Sequence, residues 1–234
     1  MEESYRLGYK KAAGALGFSL IYAPELVYDR TYPNPDFDYI FKLFEEGRAL
    51  KDVETIRGLA FMYREGRSVP RDDKKMIELY EEAAALGDNQ AQYLLGAFYS
   101  GQSILFYYLI QPDRVPFKDV DKEKGLNWLK KAANNGNLYA WEMLAKYYDR
   151  EEHNPKLQEY YLREGAKHGN KNLLIELSSM YRNSKFFPIA DLSDADRKRL
   201  DACVINLYRD LKPLDDKPIT DFDKICPRKI QPIE

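Results

Sequence analysis

Apolar and small residues alternate with polar ones at helical spacing through the middle of this chain. A small or apolar residue is followed four positions later by leucine, and four positions after that by tyrosine. This i, i+4, i+8 spacing places all three on one face of a helix. It occurs in four segments: Thr55–Tyr63, Ala91–Tyr99, Ala140–Tyr148 and Leu173–Tyr181. The pattern therefore predicts four equivalent helices, each with a flat apolar face.

A second pattern runs in step with the first. A bulky pair and a small pair precede a glycine in the segments Leu79–Gly87, Trp128–Gly136 and Tyr161–Gly169. We expect each glycine to end its helix in the left-handed conformation. Asp72 and Asp121 precede two of these helices, where a carboxylate can accept hydrogen bonds from N–H groups of the first turn.

The two patterns alternate, which predicts stacked antiparallel helix pairs. Together they resemble the Sel1-like repeat family, whose members are relatives of the tetratricopeptide repeat proteins. The resemblance rests on one set of residues and their counterparts in the other units: Val69, Asp72, Lys75, Tyr80, Ala83, Ala84, Gly87, Ala91, Leu95, Gly96, Tyr99 and Gly101. It implies an all-α fold, a right-handed α-solenoid of antiparallel helix pairs.

The chain divides into four predicted segments. Residues 1–35 hold a leading helix and loop, a possible degenerate repeat, and residues 36–182 form the repeat array. Residues 183–212 hold a capping helix that begins at Ser193 or Asp194 and covers the last apolar face. Prolines in residues 213–234 exclude a long helix, so we expect an extended C-terminal tail held by Ile219, Phe222 and Ile225.

Residues 102–119 are an insertion in the second unit, rich in aromatic and aliphatic side chains. Such insertions in repeat proteins map to loops, often on the binding side. Two interpretations stay open: an exposed arm that contacts a partner through Tyr107 and Tyr108, or a loop that folds back and buries its own apolar side chains. Large exposed apolar patches are uncommon on monomers, which favours the second.

Composition narrows the classes of function. The 234 residues carry 36 Lys and Arg against 38 Asp and Glu, so no global positive field favours nucleic acid. No apolar run approaches the roughly 18–20 residues of a membrane-spanning helix, and we expect no membrane insertion. The first residues lack a secretory signal, which predicts a cytoplasmic protein; a periplasmic one stays possible if the chain begins after a removed signal.

The chain offers little for catalysis or for binding a metal or cofactor. Cys203 and Cys226 have a spacing typical of neither metal ligands nor a redox pair, and we expect two free thiols in preference to a disulfide. His153 and His168 lie outside any catalytic motif, and His168 suits a helix C-terminus. No glycine-rich phosphate loop occurs. We therefore predict no catalytic residues, no cofactor and no metal.

The resemblance also implies a partner-binding surface. In the tetratricopeptide relatives the first helix of each pair lines the concave side, which implies contact positions two and five residues to either side of each repeat leucine. With the tyrosines of the insertion, the predicted contacts are Glu54, Arg57, Phe61, Arg64, Gln90, Tyr93, Tyr107, Tyr108, Tyr139, Glu142, Lys146, Ile175 and Arg182. Mixed aromatic side chains and charges of both signs are typical of a protein-binding groove. The alternative is a solvated face without a partner.

We therefore predict a non-catalytic protein that binds one dedicated protein partner. Bacterial Sel1-like proteins include immunity proteins that neutralise secreted toxins, and the tail loosely resembles the proline-containing ends of repeat proteins encoded beside such toxins. This favours an immunity or inhibitor protein. The alternatives are an adaptor or scaffold, and an enzyme or its accessory subunit. The partner's identity and the oligomeric state stay open.

Overall fold

The computed structural model of this chain describes residues 12–22, 36–101, 120–183, 192–211 and 218–228. These residues form eleven α-helices joined by turns, which confirms the predicted all-α class. The helices are α1 Ala13–Tyr22, α2 Phe37–Arg48, α3 Val53–Glu65, α4 Asp73–Ala85, α5 Asn89–Ser100, α6 Lys122–Asn134, α7 Leu138–Arg150, α8 Pro155–Lys167, α9 Asn172–Arg182, α10 Asp194–Asp210 and α11 Phe222–Ile225. The insertion at 102–119 lies outside the described residues.

The chain divides into two compact units, Met1–Leu95 and Gly96–Glu234. In the first unit α1 packs against α2 and α3, and α3 packs against both α2 and α4. In the second unit contacts join α6 to α7, α7 to α8, α8 to α9 and α9 to α10. Helices that follow one another in the chain are therefore packing neighbours, as the alternating patterns predict.

The predicted register of the repeat is confirmed by burial. The repeat leucines are all fully buried: Leu59, Leu95, Leu144 and Leu177. Five tyrosines that follow these leucines at the predicted spacing, or lie in the second pattern, are buried as well: Tyr80, Tyr99, Tyr148, Tyr161 and Tyr181. Much of the tyrosine content is therefore used in packing between helices.

Helix ends also lie where the sequence predicts them. Asp72 and Asp121 each accept a hydrogen bond from the backbone N–H three residues on, at 2.9 and 3.0 Å. Gly87, Gly136 and Gly169 have φ values of 94°, 90° and 105°, a conformation that favours glycine. Each of these glycines ends the second helix of a pair, and its position determines where the first helix of the next pair begins.

Glycine at two positions allows helices to approach more closely than any side chain would permit. A Cβ atom at Gly96 would lie 2.6 Å from Leu129 Cγ, and one at Gly125 would overlap the backbone nitrogen of Ser100. Helices α5 and α6 therefore meet nearly backbone to backbone within the second unit. Substitution at either glycine would push the pair apart.

Helix α10 closes the array as predicted. Ser193 caps it, since its Oγ accepts a hydrogen bond from Asp196 N at 3.1 Å. Leu200 and Val204 are buried where α10 packs on α9. The apolar face of the last repeat is therefore covered.

Cys203 of α10 and Cys226 of the tail form a disulfide, so the expectation of two free thiols is wrong. The two cysteines are 23 residues apart in the chain, yet their Cα atoms are 5.8 Å apart. That separation is within disulfide reach because the tail folds back onto α10. The spacing in the sequence carries no sign of this contact.

Of the predicted extended tail, the structure describes residues 218–228. This part carries the single turn of α11, and Ile219 N–H donates a hydrogen bond to the Lys167 carbonyl oxygen at 2.7 Å. Ile219 and Phe222 are buried as predicted. Ile225, the third predicted anchor, is 49% exposed. That part of the prediction is wrong, because the next residue, Cys226, takes the buried position at the end of α11, where it is bonded to Cys203.

The tail is held to α8 by a buried arginine. Arg163 is 2% exposed, and its Nη2 donates to the Cys226 carbonyl oxygen at 2.6 Å and to Asp223 Oδ1 at 2.8 Å. Its guanidinium lies 4.7 Å from the centre of the Phe222 ring. Burial would raise the pKa of the Asp223 carboxyl, but hydrogen bonds from Lys167 and Arg163 lower it.

A buried glutamate completes the same network. Glu159 is 1% exposed and accepts hydrogen bonds from Tyr181 Oη at 2.7 Å and from Arg228 Nε at 3.0 Å. Arg163 also donates to Tyr181 Oη at 3.2 Å, and burial raises the pKa of this tyrosine. Helices α8 and α9 and the tail therefore share one set of paired buried charges.

We expect Cys203→Ser to lower the free energy of unfolding by about 3 kcal/mol, because the disulfide closes a loop of moderate length in the unfolded chain. Chemical denaturation of the variant and of the wild type, each with and without reductant, measures the effect. Reductant should bring the wild type to the stability of the variant and leave the variant unchanged. A wild type whose midpoint ignores reductant would contradict the disulfide.

Arg163→Met is expected to cost about 3 kcal/mol or more, since Tyr181 Oη, Asp223 and the Cys226 carbonyl oxygen each lose a hydrogen bond that Arg163 donates at a buried site. Thermal unfolding measures the loss. The matched control is Arg199→Met on α10, whose side chain is 56% exposed and pairs with Asp196 on the same helix. The control should unfold at the wild-type temperature; equal losses in both variants would contradict the role of the buried network.

Candidate functional site

The predicted contacts on α3 lie partly beneath the leading helix. The Arg57 guanidinium is 5.4 Å from the ring centre of Phe18 on α1, and the Phe61 ring is 6.3 Å from that of Tyr22. A Cβ atom at Gly14 would lie 2.5 Å from Glu54 Cβ, so α1 also runs close over that residue. Glu54, Arg57 and Phe61 are accordingly half-buried.

Arg57 supports the start of α5. Its Nη1 donates to Asp88 Oδ2 at 2.6 Å, and Asp88 Oδ1 accepts a hydrogen bond from Ala91 N in the first turn of α5. Because Asp88 is buried, removing Arg57 would leave a buried carboxylate with one partner fewer. A substitution of Arg57 would therefore disturb the fold of the first unit as well as any partner contact.

The other predicted contacts of the first unit are also engaged or half-buried. Arg64 pairs with Glu65 at 2.8 Å, and its guanidinium lies 5.0 Å from the centre of the Phe61 ring. Gln90 and Tyr93 on α5 are half-buried. Tyr107 and Tyr108 of the insertion lie outside the described residues.

The second unit presents the remaining predicted contacts on α7 and α9. Tyr139 is 64% exposed and Ile175 is 45% exposed. Glu142 and Lys146 form an ion pair one turn apart on α7, while Arg182 pairs with Asp201 of α10 at 3.2 Å. We call the surface formed by Tyr139, Glu142, Lys146, Ile175, Glu176 and Arg182 the α7–α9 face.

Local capping fixes the starts of these two helices. Asn137 Oδ1 accepts hydrogen bonds from Tyr139 N and Ala140 N at 3.1 and 3.2 Å, which places Tyr139 in the first turn of α7. Asn170 Nδ2 donates to the Leu138 carbonyl oxygen at 3.1 Å. This bond ties the turn that precedes α9 to the start of α7, so the two helices start side by side.

Glu176 belongs to this face but was not among the predicted contacts. It lies on the side of α9 that faces α7, because the charged groups that influence the pKa of its carboxyl are all on α7: Glu142, Lys146, Asp149 and Arg150. Partial burial raises the pKa of its carboxyl above the usual range, and Lys146 opposes that shift. A partly buried carboxyl with a raised pKa is one of the features found at functional sites.

The sequence does contain a signal for Glu176. It immediately precedes a repeat leucine, and the equivalent positions in the other units hold Gly58, Leu94 and Met143. A charged residue where three other units carry small or apolar ones departs from the packing pattern. Such departures are expected at functional sites.

The other described residues offer few groups suited to catalysis or metal binding. Both cysteines are in the disulfide, and His168 stacks on Trp141 at 5.1 Å. No group of three or more His, Cys, Asp or Glu side chains within the described ranges is placed to hold a metal ion. In the same ranges no helix has both the length and the apolar character needed to cross a bilayer.

A shallow open groove lies along α6. It is lined by Asp121, Lys124, Asn127, Trp128 and Lys131 among others. The lysine Nζ atoms rest on aromatic rings, Lys124 at 4.0 Å from the ring centre of Tyr99 and Lys131 at 5.0 Å from that of Trp128. Both lysines of this groove therefore lie against aromatic rings.

Comparison with known proteins identifies the fold. The Sel1 repeat protein from Oxalobacter formigenes matches with a TM-score of 0.56 and 16% identity, over 88% of this chain and 74% of that chain. A protective antigen of uropathogenic Escherichia coli strains, which displays an SLR fold, matches with a TM-score of 0.54 and 19% identity over 84% of this chain. The match spans 38% of the Escherichia coli protein.

More distant matches add no weight. An immunity protein from Pseudomonas aeruginosa is 18% identical over 94% of this chain and 88% of that chain, with a TM-score of 0.40. That score is too low to support an inference about fold or function. No protein-family model and no curated protein matches the chain.

We expect Glu176→Gln to raise the thermal midpoint at pH 7. A raised carboxyl pKa means that the folded state holds the proton more tightly than the unfolded state does. The charge therefore costs stability once the pH rises above the unfolded-state pKa, and the full cost is reached above the folded-state pKa. Near pH 3.5, where the carboxyl is protonated in both states, the variant and the wild type should unfold together.

The control for this measurement is Glu78→Gln on α4, an exposed glutamate paired with Lys75 at 3.2 Å. Losing such a surface pair changes stability little at either pH. Circular dichroism melts at both pH values record the comparison. A Glu176→Gln protein that melts below the wild type at pH 7 would show that the carboxylate stabilises the fold instead.

Proposed function

We propose that this chain, which has the Sel1-like repeat fold, is a non-catalytic protein-binding module that recognises one dedicated protein partner. The α7–α9 face is the proposed contact surface. The observation that carries the proposal is the exposure of Tyr139 and Ile175, at 64% and 45%, on the first helices of consecutive pairs. Large apolar side chains at these positions do not serve the core of the repeat.

The chemistry of this face suits a protein. An exposed aromatic ring and an exposed aliphatic side chain supply apolar contact area, and the surrounding charges are of both signs. Arg182 pairs with Asp201 at 3.2 Å and donates a hydrogen bond to Ser178 Oγ at 3.0 Å. Single-stranded nucleic acid would require a more uniformly basic groove.

The residues of the first unit that were predicted to contact a partner also make contacts within the fold. Arg57 and Phe61 contact α1 side chains, and Arg57 holds Asp88. These residues support the fold, which leaves the α7–α9 face as the main surface. Tyr107 and Tyr108 stay in the proposal on the grounds of the sequence alone.

Within this class we propose an immunity or inhibitor protein that neutralises a toxin or effector. Helix α10 covers the apolar face of the last repeat, so the surface that the repeats present ends there, which supports a single partner. A blocking role requires no chemistry of its own, and the described residues hold no free thiol. An adjacent toxin gene in the source genome would support this finer proposal directly.

Affinity capture tests the binding function. The tagged chain is incubated with lysate of its native source, and bound protein is quantified for the wild type, for Tyr139→Ala with Ile175→Ala, and for a control. The control is Leu50→Ala with Leu86→Ala, which removes apolar side chains that are 47% and 46% exposed on the first unit. We expect one stoichiometric partner, retained by the control and reduced about tenfold or more in the first double variant.

Other outcomes would overturn parts of the proposal. Several sub-stoichiometric proteins would indicate a scaffold, and turnover of a substrate by the purified chain would indicate an enzyme. Equal capture by both double variants would remove the α7–α9 face from the account. Circular dichroism of each variant confirms that it is folded before capture.

A further inference from the structure

The described part of the C-terminal tail, residues 218–228, lies along α8. Near the end of that helix Ile219 N–H donates to the Lys167 carbonyl oxygen at 2.7 Å, and near its start Arg228 Nε pairs with Glu159 at 3.0 Å. Four backbone N–H groups of the tail donate to carbonyl oxygens of the tail itself: those of Phe222, Lys224, Ile225 and Cys226. The tail is therefore a small folded piece that docks on the array largely through side chains.

The charged groups under the tail also have partners inside the repeats. Tyr181 Oη donates to Glu159 Oε1 at 2.7 Å and accepts from Arg163 Nη1 at 3.2 Å. Both charged side chains therefore reach the same hydroxyl group. They lie four residues apart on α8, a spacing at which glutamate and arginine pair on a helix. When the tail leaves, Glu159 and Arg163 can pair with each other, so undocking leaves neither charge alone.

The last repeat keeps its apolar cover without the tail. Leu200 and Val204 are buried where α10 packs on α9. The tail instead buries side chains of its own, since Ile219 is 8% exposed and Phe222 is fully buried. Undocking therefore exposes these two side chains and leaves the helix pairs in place.

The disulfide is open to attack at one of its two sulfur atoms. Cys203 on α10 is partly exposed, whereas Cys226 is fully buried. A thiolate that attacks Cys203 Sγ forms a mixed disulfide, and Cys226 leaves as a thiolate that takes up a proton. The second thiol of a dithiol reductant then closes its own disulfide and frees Cys203 as a thiol. In sum the protein disulfide gains two electrons and two protons, and the dithiol is oxidised.

We propose that the Cys203–Cys226 disulfide is a redox latch: the tail is docked on α8 while the two sulfurs are joined, and it undocks when a dithiol reduces them. The bond closes a loop across 23 positions, and such a constraint favours the closed form by about a hundredfold. Reduction removes that constraint, and undocking then uncovers Glu159, Arg163 and the Phe222 ring. The latch goes beyond the proposed function, because it needs no partner at the α7–α9 face.

Amide hydrogen exchange on the full chain at neutral pH tests the latch, with oxidised protein compared with protein reduced by dithiothreitol. The Ile219 amide is the most direct reporter, because its hydrogen bond crosses from the tail to α8. We expect the amides of Ile219, Phe222 and Cys226 to exchange about tenfold or more faster after reduction, since their protection depends on docking. Amides of α8 and α9 should keep the rates of the oxidised chain.

Variants tie the result to the disulfide and to the docked contacts. Cys203→Ser should show the reduced rates in the tail both with and without dithiothreitol. Arg228→Gln, which loses the pair with Glu159, should speed tail exchange more in the reduced chain than in the oxidised one. The matched control is Lys224→Gln, whose side chain is 85% exposed and pairs with Asp221 within the tail. It should exchange as the wild type in both states.

Two results would overturn the latch. Tail amides that keep their oxidised rates in the reduced chain and in Cys203→Ser would show that the side-chain contacts hold the tail by themselves. Equal acceleration in the tail, α8 and α9 would show that the disulfide holds the whole second unit together. Alkylation with iodoacetamide gives a second readout: an undocked tail lets Cys226 react as fast as Cys203 in the reduced chain, and a strongly protected Cys226 would contradict undocking.

Discussion

The helix pairs of this protein depend on backbone approaches that leave no room for a side chain. Gly125 lies against the backbone of Ser100, and Gly96 lies against Leu129. In the first unit the ring of Phe44 packs directly against Gly58, where a Cβ atom would lie 2.5 Å from Phe44 Cζ. At each close approach the inner faces of the two helices pack against each other. The opposite face of the first helix in each pair does not pack against the second helix, so its side chains are not required for the core of that pair.

Contacts at the C-terminal end of the second unit hold α9 in position. Helix α9 carries Ile175 and Glu176, and its Tyr181 is held by Glu159 and Arg163 of α8. The tail covers the same charges through Asp223, Arg228 and the Cys226 carbonyl oxygen. A buried network of this kind is costly to break, so α9 has little freedom to shift against α8. Helix α9, which carries part of the α7–α9 face, is thereby held in place against α8.

Local signals in the sequence predicted most of the fold. The leucine register, the aspartate caps and the left-handed glycines each depend on residues within a few positions of one another. The features that sequence reasoning missed depend on partners far along the chain. Arg57 meets Asp88, Cys203 meets Cys226, and Arg163 meets the tail 63 positions later. A periodic pattern carries no information about such contacts, because they are set by how the ends of the array fold back.

The candidate surface shows the same division between local and long-range information. Tyr139 and Ile175 were found by counting from the repeat leucines, and both are exposed. Counting also selected Arg57 and Phe61, which contact α1, because the leading helix is too weakly patterned for its packing site to be predicted. Glu176 was missed because its position is a packing position in the other units.

The central claim is that the partner binds the α7–α9 face, and the most direct test is amide hydrogen exchange. The exchange of the free chain is compared with that of the chain saturated with its captured partner. The account predicts slower exchange in α7 and α9 on binding, with α4 and α8 unchanged. Protection confined to α4 or α8, with α7 and α9 exchanging as in the free chain, would contradict it.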